Sequence, residues 1–243
     1  MKALFISDLH LTPECPAVAR AFCHYLADRA PQADALYILG DFFEYWVGDD
    51  AMDDFQHDIA QRLRQYTNSG KALYLMPGNR DFAIGKSFLQ ATDAQWLKDP
   101  TLITINNQKI LLMHGDSLCT ADKQYQRYRK IIRNPLVMAL LRMTPLSYRK
   151  NLGRKIRQKS KAAKIGKALD IMDVTRSEVV EAMERFGVDT LIHGHTHRPD
   201  IHEVALKHGV GKRYVLGDWT DKGWEIELDS NGITLDAFPI KHQ

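Results

Sequence analysis

Five short apolar runs in this chain each end in residues that carry chemistry. Leu4-Phe5-Ile6 leads into Ser7-Asp8-Leu9-His10, and Leu36-Tyr37-Ile38-Leu39 into Gly40-Asp41. Leu73-Tyr74-Leu75-Met76 leads into Pro77-Gly78-Asn79-Arg80-Asp81, and Ile110-Leu111-Leu112-Met113 into His114-Gly115-Asp116. Thr190-Leu191-Ile192 leads into His193-Gly194-His195-Thr196-His197. Apolar runs of this length, bounded by turn residues, read as buried strands. Residues 16–30 and 53–69 lie between such runs and carry helical periodicity. Strands alternating with helices predict an α/β architecture with a largely parallel sheet. Beyond residue 189 the pattern changes to closely spaced strands at 189–192, 201–206, 213–216, 224–228 and 233–238. Gly209, Gly211 and Ser230-Asn231-Gly232 supply turns among them. The expectation is one domain over residues 1–243: two packed sheets flanked by helices.

Open α/β sheets bind ligands beyond the carboxyl ends of their strands. Five strand ends of this kind bring Asp8, His10, Asp41, Asn79, His114, His195 and His197 to one place. These are oxygen and imidazole donors without thiolates, a set that suits Mn, Fe or Zn. Seven donors are too many for one ion that must also hold water and substrate. They suit two ions sharing a carboxylate. The D-x-H and H-x-H spacings place alternate side chains on one side of an extended backbone.

The charge is unevenly distributed. Fifteen of the 33 Lys and Arg fall within residues 123–167, which contain no Asp or Glu. The other 198 residues carry 18 bases against 30 acids. A field divided in this way predicts that the basic segment meets something anionic. The segment reads as two or three helices punctuated by Pro135 and Pro145, a cap inserted at about residues 122–167. Residues 136–143 are apolar except for Arg142, so this stretch is either core or a greasy cap facing a ligand or a membrane surface. Dense Lys and Arg with Tyr125 and Tyr128 also suit single-stranded nucleic acid. The apolar run argues against that reading, and no nucleic acid is expected. A non-catalytic scaffold would be expected to lose ligand residues, yet all seven positions are filled.

Several classes are excluded. Cys15, Cys23 and Cys119 are odd in number and lack C-x-x-C spacing, which suits a reducing compartment. The apolar stretch at the N-terminus is too short for a signal peptide. No run approaches the ~20 residues of a membrane span. His193 reads as a core residue or a support for the histidines beside it. Asp81, Asp116 and Asp218 read as supports for metal-bound imidazoles or as turn caps. His24, His57, His202, His208 and His242 have no motif context.

The D-x-H, G-D, G-N-x-D, later H and G-H-x-H elements, in this order, resemble the calcineurin-like metallophosphoesterase superfamily. The resemblance implies an α/β/β/α sandwich. It implies that Asp8, His10, Asp41 and His197 hold one metal and that Asp41, Asn79, His114 and His195 hold the other, with Asp41 bridging. Many members carry His after the motif Asn; here Arg80 stands there, a fixed charge rather than a proton donor. Residues 36–50, ending in Trp46-Val47-Gly48-Asp49-Asp50, together with His114-Gly115-Asp116-Ser117-Leu118-Cys119, Ile171-Met172-Asp173-Val174 and the run through Arg198-Pro199, narrow the match. They resemble the bacterial UDP-2,3-diacylglucosamine pyrophosphohydrolases of lipid A biosynthesis.

That resemblance implies two Mn²⁺ ions and a metal-activated hydroxide that attacks the uridine-side phosphorus. UMP and 2,3-diacylglucosamine 1-phosphate (lipid X) would be the products. It implies Asn79, Arg80 and His195 as catalytic residues. Asn79, Arg80, Asp122, Ser160, Lys164, Lys167 and His195 would contact substrate. It further implies a cytoplasmic protein, peripheral on an anionic inner-membrane surface, with no obligatory protein partner.

Overall fold

A computed structural model describes residues 1–164 and 173–242, with residues 157–164 described by their backbone alone. Two sheets stack face to face. The first has six strands in the order β11-β10-β1-β2-β3-β4, from β1 (Ala3–Ile6), β2 (Ala35–Ile38), β3 (Ala72–Leu75), β4 (Gln95–Trp96), β10 (Lys222–Leu228) and β11 (Ile233–Pro239). The second has five in the order β5-β6-β7-β9-β8, from β5 (Thr101–Ile105), β6 (Gln108–Met113), β7 (Thr190–His193), β8 (Asp200–Leu206) and β9 (Gly209–Val215). β1 to β4 run parallel, as do β6, β7 and β9, while hairpin partners close the edges.

Strand period decides the layers. Leu4, Ile6, Leu36 and Ile38 face a cluster shared with α1 (Pro16–His24) and α2 (Asp54–Asn68). Their neighbours Phe5, Tyr37 and Leu39 face the other way, into the core between the sheets with Leu112, Ile192 and Leu216. Leu111 and Leu191 point outward again, beneath α7 (Arg176–Phe186). Central strands buried on both faces favour apolar residues at every position, which explains the unbroken runs of β1 and β2; β7, equally buried, carries Leu191 and Ile192 between Thr190 and His193. The result is the expected α/β/β/α sandwich. Asp53 starts α2 with a reciprocal capping box to Gln56, and Gly187, at φ 62°, ends α7.

The strand at 110–113 reads in sequence as part of the first parallel sheet, yet as β6 it belongs to the second. Apolar runs announce strands but not the sheet they join. The short α3 (Lys86–Thr92) and the strands β4 and β5 carry little pattern; β5 is half exposed.

The basic segment forms three helices, α4 (Lys123–Ile132), α5 (Pro135–Met143) and α6 (Leu146–Lys164). Pro135 opens α5, where its missing N–H is not needed, and Pro145 immediately precedes α6. The cap is tied to the body by arginines. Arg129 and Arg133 reach the buried carboxylates of Asp99 and Asp116. Arg149, 7% exposed, pairs with Asp50 and donates to the Val47 and Thr144 carbonyls. Part of the positive charge of this segment therefore serves the protein's own acids.

Candidate metal centre

The strand ends meet as the spacing anticipates, and the backbone there is forced into unusual shapes. Eight non-glycine residues among those described have positive φ, and five of them are Asp8, His10, Asp41, His195 and His197. Such conformations cost on the order of 1–3 kcal/mol each and persist only where the surroundings over-determine them. The surroundings do so here. Asp8 and His10 donate backbone N–H bonds to the Gly40 and Asp41 carbonyls at 3.1 and 2.9 Å. The His195 N–H donates to Asp8 Oδ2 at 2.8 Å, and the Ser7 hydroxyl donates to the same oxygen at 2.6 Å. The Arg80 N–H donates to Asp41 Oδ1 at 2.9 Å. Two glycines permit this closeness: a Cβ on Gly78 would overlap Asp41, and one on Gly194 would overlap Ser7 and Asp8.

Two groups of donor atoms result. Asp8, His10 and His197 form one, and Asp8, Asp41 and His114 form the other. His10 Nε2 and His197 Nε2 face each other at 3.5 Å, and His197 Nε2 lies 3.4 Å from Asp8 Oδ1. His114 Nε2 lies 3.0 Å from Asn79 Oδ1 and 3.7 Å from Asp41 Oδ1. His195 packs edge-on to His114, with ring centroids 5.1 Å apart. All seven expected donors therefore converge.

The contacts fit cations. His114 Nδ1 lies 2.9 Å from the Leu39 carbonyl, which can only accept, so Nδ1 carries the proton. With Nε2 unprotonated, as a metal ligand must be, its lone pair faces the Asn79 and Asp41 oxygens, an arrangement a cation between them would satisfy. Without one, burial opposes the charged ring but Asp41 and Asp8 raise its pKa and favour it. Asp8 Oδ1 is buried, with His197 Nε2 at 3.4 Å as its polar neighbour. Hard oxygens with imidazoles, held this closely, are a divalent-ion donor set.

Charge follows the same geometry. Burial opposes ionisation of Asp8, but the hydrogen bond and charge of His197 outweigh it and hold the carboxyl far below its usual range. Burial also opposes the charged form of His197, yet contacts with Asp218 and Asp8 push it up to about 10. His195 falls to about 4, through burial first and His114 second.

Several supports lie outside the seven. Asp81, 1% exposed, accepts from the Gly78 and Phe42 N–H groups and pins two loops together; burial and then Asp41 push its carboxyl up to about 6. Asp218 lies 3.4 Å from His197 Nδ1. Asp116 accepts from Tyr125, Arg129 and Arg133. His193 is wholly buried between the Gly194 carbonyl and Arg213, as a core residue. Sequence reasoning missed Glu44, whose Oε2 lies 3.2 Å from His10 Nδ1. It also missed the packing of the Tyr125 ring on His195 at 6.0 Å. Neither residue belongs to a motif of glycines and histidines, so no local signal marks it.

The expected substrate contacts divide. Asn79 and Arg80 line a cleft beneath the cap, with Trp46, Phe82, Met138 and Leu141. Arg80 Nε is buried without a hydrogen-bond partner. Asp122 caps α4 by accepting from the Tyr125 N–H at 3.1 Å. Ser160 and Lys164 lie on α6 where only the backbone is described, and Lys167 lies outside the described residues.

The profile of calcineurin-like phosphoesterases matches residues 1–199. This chain belongs to that family. The phosphoesterase is 53% identical over 240 residues to a UDP-2,3-diacylglucosamine hydrolase of Pseudomonas paraeruginosa, an alignment covering 99% of this chain and 100% of the relative. It is 52% identical to the protein of that name from Pseudomonas aeruginosa, with the same coverage. The one from Pseudomonas syringae pv. tomato is 52% identical over 97% of this chain and 95% of its own length. The phosphoesterase family depends on a dinuclear metal centre, and the two donor groups fit that requirement.

Proposed function

We propose that this chain hydrolyses the pyrophosphate bond of UDP-2,3-diacylglucosamine, releasing UMP and 2,3-diacylglucosamine 1-phosphate (lipid X). The observation that carries the reading is an apolar cleft opening from Asn79 and Arg80, at the edge of a seven-donor centre. Asp8, His10, Asp41 and His197 would hold one ion. Asp41, Asn79, His114 and His195 would hold the second, with Mn²⁺ as the proposed metal. When bound, the pair supplies Lewis-acid polarisation of the phosphoryl group and an activated water.

The chain's own residues do the rest. Attack at the uridine-side phosphorus expels a sugar 1-phosphate, whose second pKa of about 6 lets it leave largely unprotonated. Arg80 then has to meet growing charge rather than donate a proton, and a guanidinium fork does so. Asn79 and His195 orient the phosphoryl oxygens. Asp122, Ser160, Lys164 and Lys167 contact the sugar phosphate. The three cap helices form a lid on a single domain. Met138, Leu141, Leu152 and Ile156 line the cleft and shelter acyl chains.

The opposite face of α5 leaves Leu136, Leu140 and Met143 exposed at 73%, 65% and 83%. With the basic residues around them, these side chains suit an anionic membrane surface. Among the described residues no helix is long and apolar enough to cross a membrane. The proposal is a cytoplasmic enzyme, peripheral on the inner membrane, that needs neither nucleic acid nor a protein partner. Tyr125, whose hydroxyl donates to Asp116 and whose ring packs on His195, is already engaged and is not offered as a base-stacking surface.

The test is direct. Incubation of the purified protein with Mn²⁺ and UDP-2,3-diacylglucosamine, followed by mass analysis, is expected to yield the two products. Reaction in ¹⁸O-water is expected to label UMP. Label in the lipid phosphate would overturn the regiochemistry, and absence of turnover would overturn the reading.

A further inference from the structure

A second cleft takes in Thr196, which lies between His195 and His197 in the chain. It shares no residue with the apolar cleft under the cap. Its walls are Asp173, Thr196, Arg198, His202, Arg213 and Val215, with Asp200 at its margin. The first cleft sets aromatic and aliphatic side chains beside Asn79 and Arg80, whereas charged and hydrogen-bonding side chains make up most of the lining of this one, with Pro199 and Val215.

Two of those groups are set up for a neutral polar ligand. Arg213 is half-buried, and among the described residues its one hydrogen bond is Nη1 to His193 Nε2 at 3.3 Å. Its other N–H donors have no carboxylate in salt-bridge range among the described residues. A guanidinium in that position seeks oxygen acceptors. Asp173 accepts from Arg198 at 2.6 Å and from the Val174 N–H, which fixes its carboxylate at the cleft wall as an acceptor for hydroxyl or imide N–H groups. Donors and acceptors lining one cleft match a nucleoside, with carbonyl oxygens on its base and a diol on its ribose.

We infer that this cleft is the nucleoside subsite of the centre, taking the uridine end of the substrate, with Arg213 donating to the base carbonyls and Asp173 accepting from the ribose hydroxyls or the base N–H. The inference rests on the proposed hydrolysis of UDP-2,3-diacylglucosamine. The substrate of that reaction has an acylated end and a nucleoside end, and Thr196, between His195 and His197 in the chain, sets this cleft beside the centre and apart from the cap cleft. His202, half-buried, lines the same cleft.

Calorimetric titration of UMP, AMP and inorganic phosphate into the Mn²⁺-loaded full chain tests this without reliance on turnover. Wild-type protein is expected to bind UMP more tightly than AMP or phosphate. Arg213→Gln is expected to raise the Kd of UMP about tenfold, the loss of roughly one charge-assisted hydrogen bond. The Kd of phosphate, which meets only the centre, is expected to stay unchanged. Because Arg213 touches a core histidine, His202→Ala supplies a second variant in the cleft. It is expected to raise the Kd of UMP a few-fold and leave phosphate alone. Unchanged UMP binding in both variants, or equal losses for UMP and phosphate in both, would overturn the inference. Failure of the underlying reading is separate: wild-type protein would bind UMP in this way yet leave UDP-2,3-diacylglucosamine intact.

Discussion

The metal centre and the cap are attached to the same body by opposite means. At the centre, side chains are buried, backbones are strained, and each loop is pinned by hydrogen bonds from another: Asp8 by His195 and Ser7, Asp41 by Arg80. In the cap, no residue of α4 or α5 is fully buried, and the attachments are arginine clamps to Asp99, Asp116 and Asp50. The centre is over-determined because its atoms must not move. The cap is clamped at two polar points, with Met138 packed on the body's core, and keeps much of its apolar surface free of a core of its own.

The comparison breaks most severely at Asp41. Asp41→Ala is expected to strip both ions and to lower kcat by at least about 10³-fold, since metal polarisation supplies several kcal/mol of transition-state stabilisation. His197→Ala is expected to deplete mainly one ion. Metal content of the purified variants checks both. Next in size, Arg80→Ala is expected to lower kcat about 10²–10³-fold, as for loss of an oxyanion donor. Arg80→His is expected to rescue little, because a mostly neutral imidazole lacks the fixed charge. Full activity in Arg80→His would remove the charge argument.

The clamps come third. Arg133→Gln leaves Asp99 and Asp116 short of a buried partner, and breaking such a pair costs about 3–5 kcal/mol. Urea unfolding is expected to show that loss, with early proteolysis within residues 123–143. Unaltered stability would mean the cap is held elsewhere. The smallest effect is expected on the exposed face of α5. The double variant Leu136→Ser, Leu140→Ser is expected to keep its stability within about 0.5 kcal/mol. Its sedimentation with anionic vesicles should fall, and the wild-type binding should weaken as salt rises. Leu141→Ser, inside the cleft, is expected to do the reverse: impaired turnover of the diacylated substrate with vesicle binding retained.

This contrast also marks what the sequence made legible. The convergence of the seven candidate residues was readable because they follow apolar runs closely, so local pattern and tertiary position coincide. The cap helices were readable from Pro135, Pro145 and the absence of acids. Which face of α5 meets the cleft was not readable. Residues 136–143 are apolar nearly all round, and only packing divides Met138 and Leu141 from Leu136 and Leu140. The inward arginines were hidden for a related reason. Their partners Asp99 and Asp116 come from other elements, and Asp99 has no motif around it. Glu44 and Tyr125 reach the histidines only through the fold.

The central claim is that five strand ends build one site for two ions bridged by Asp41. Anomalous diffraction from a Mn²⁺-soaked crystal measures this directly. The account predicts two peaks about 3.5–4 Å apart, one beside Asp8, His10 and His197, the other beside Asn79, His114 and His195, with Asp41 touching both. A single peak, or a second peak away from Asp41, would contradict it.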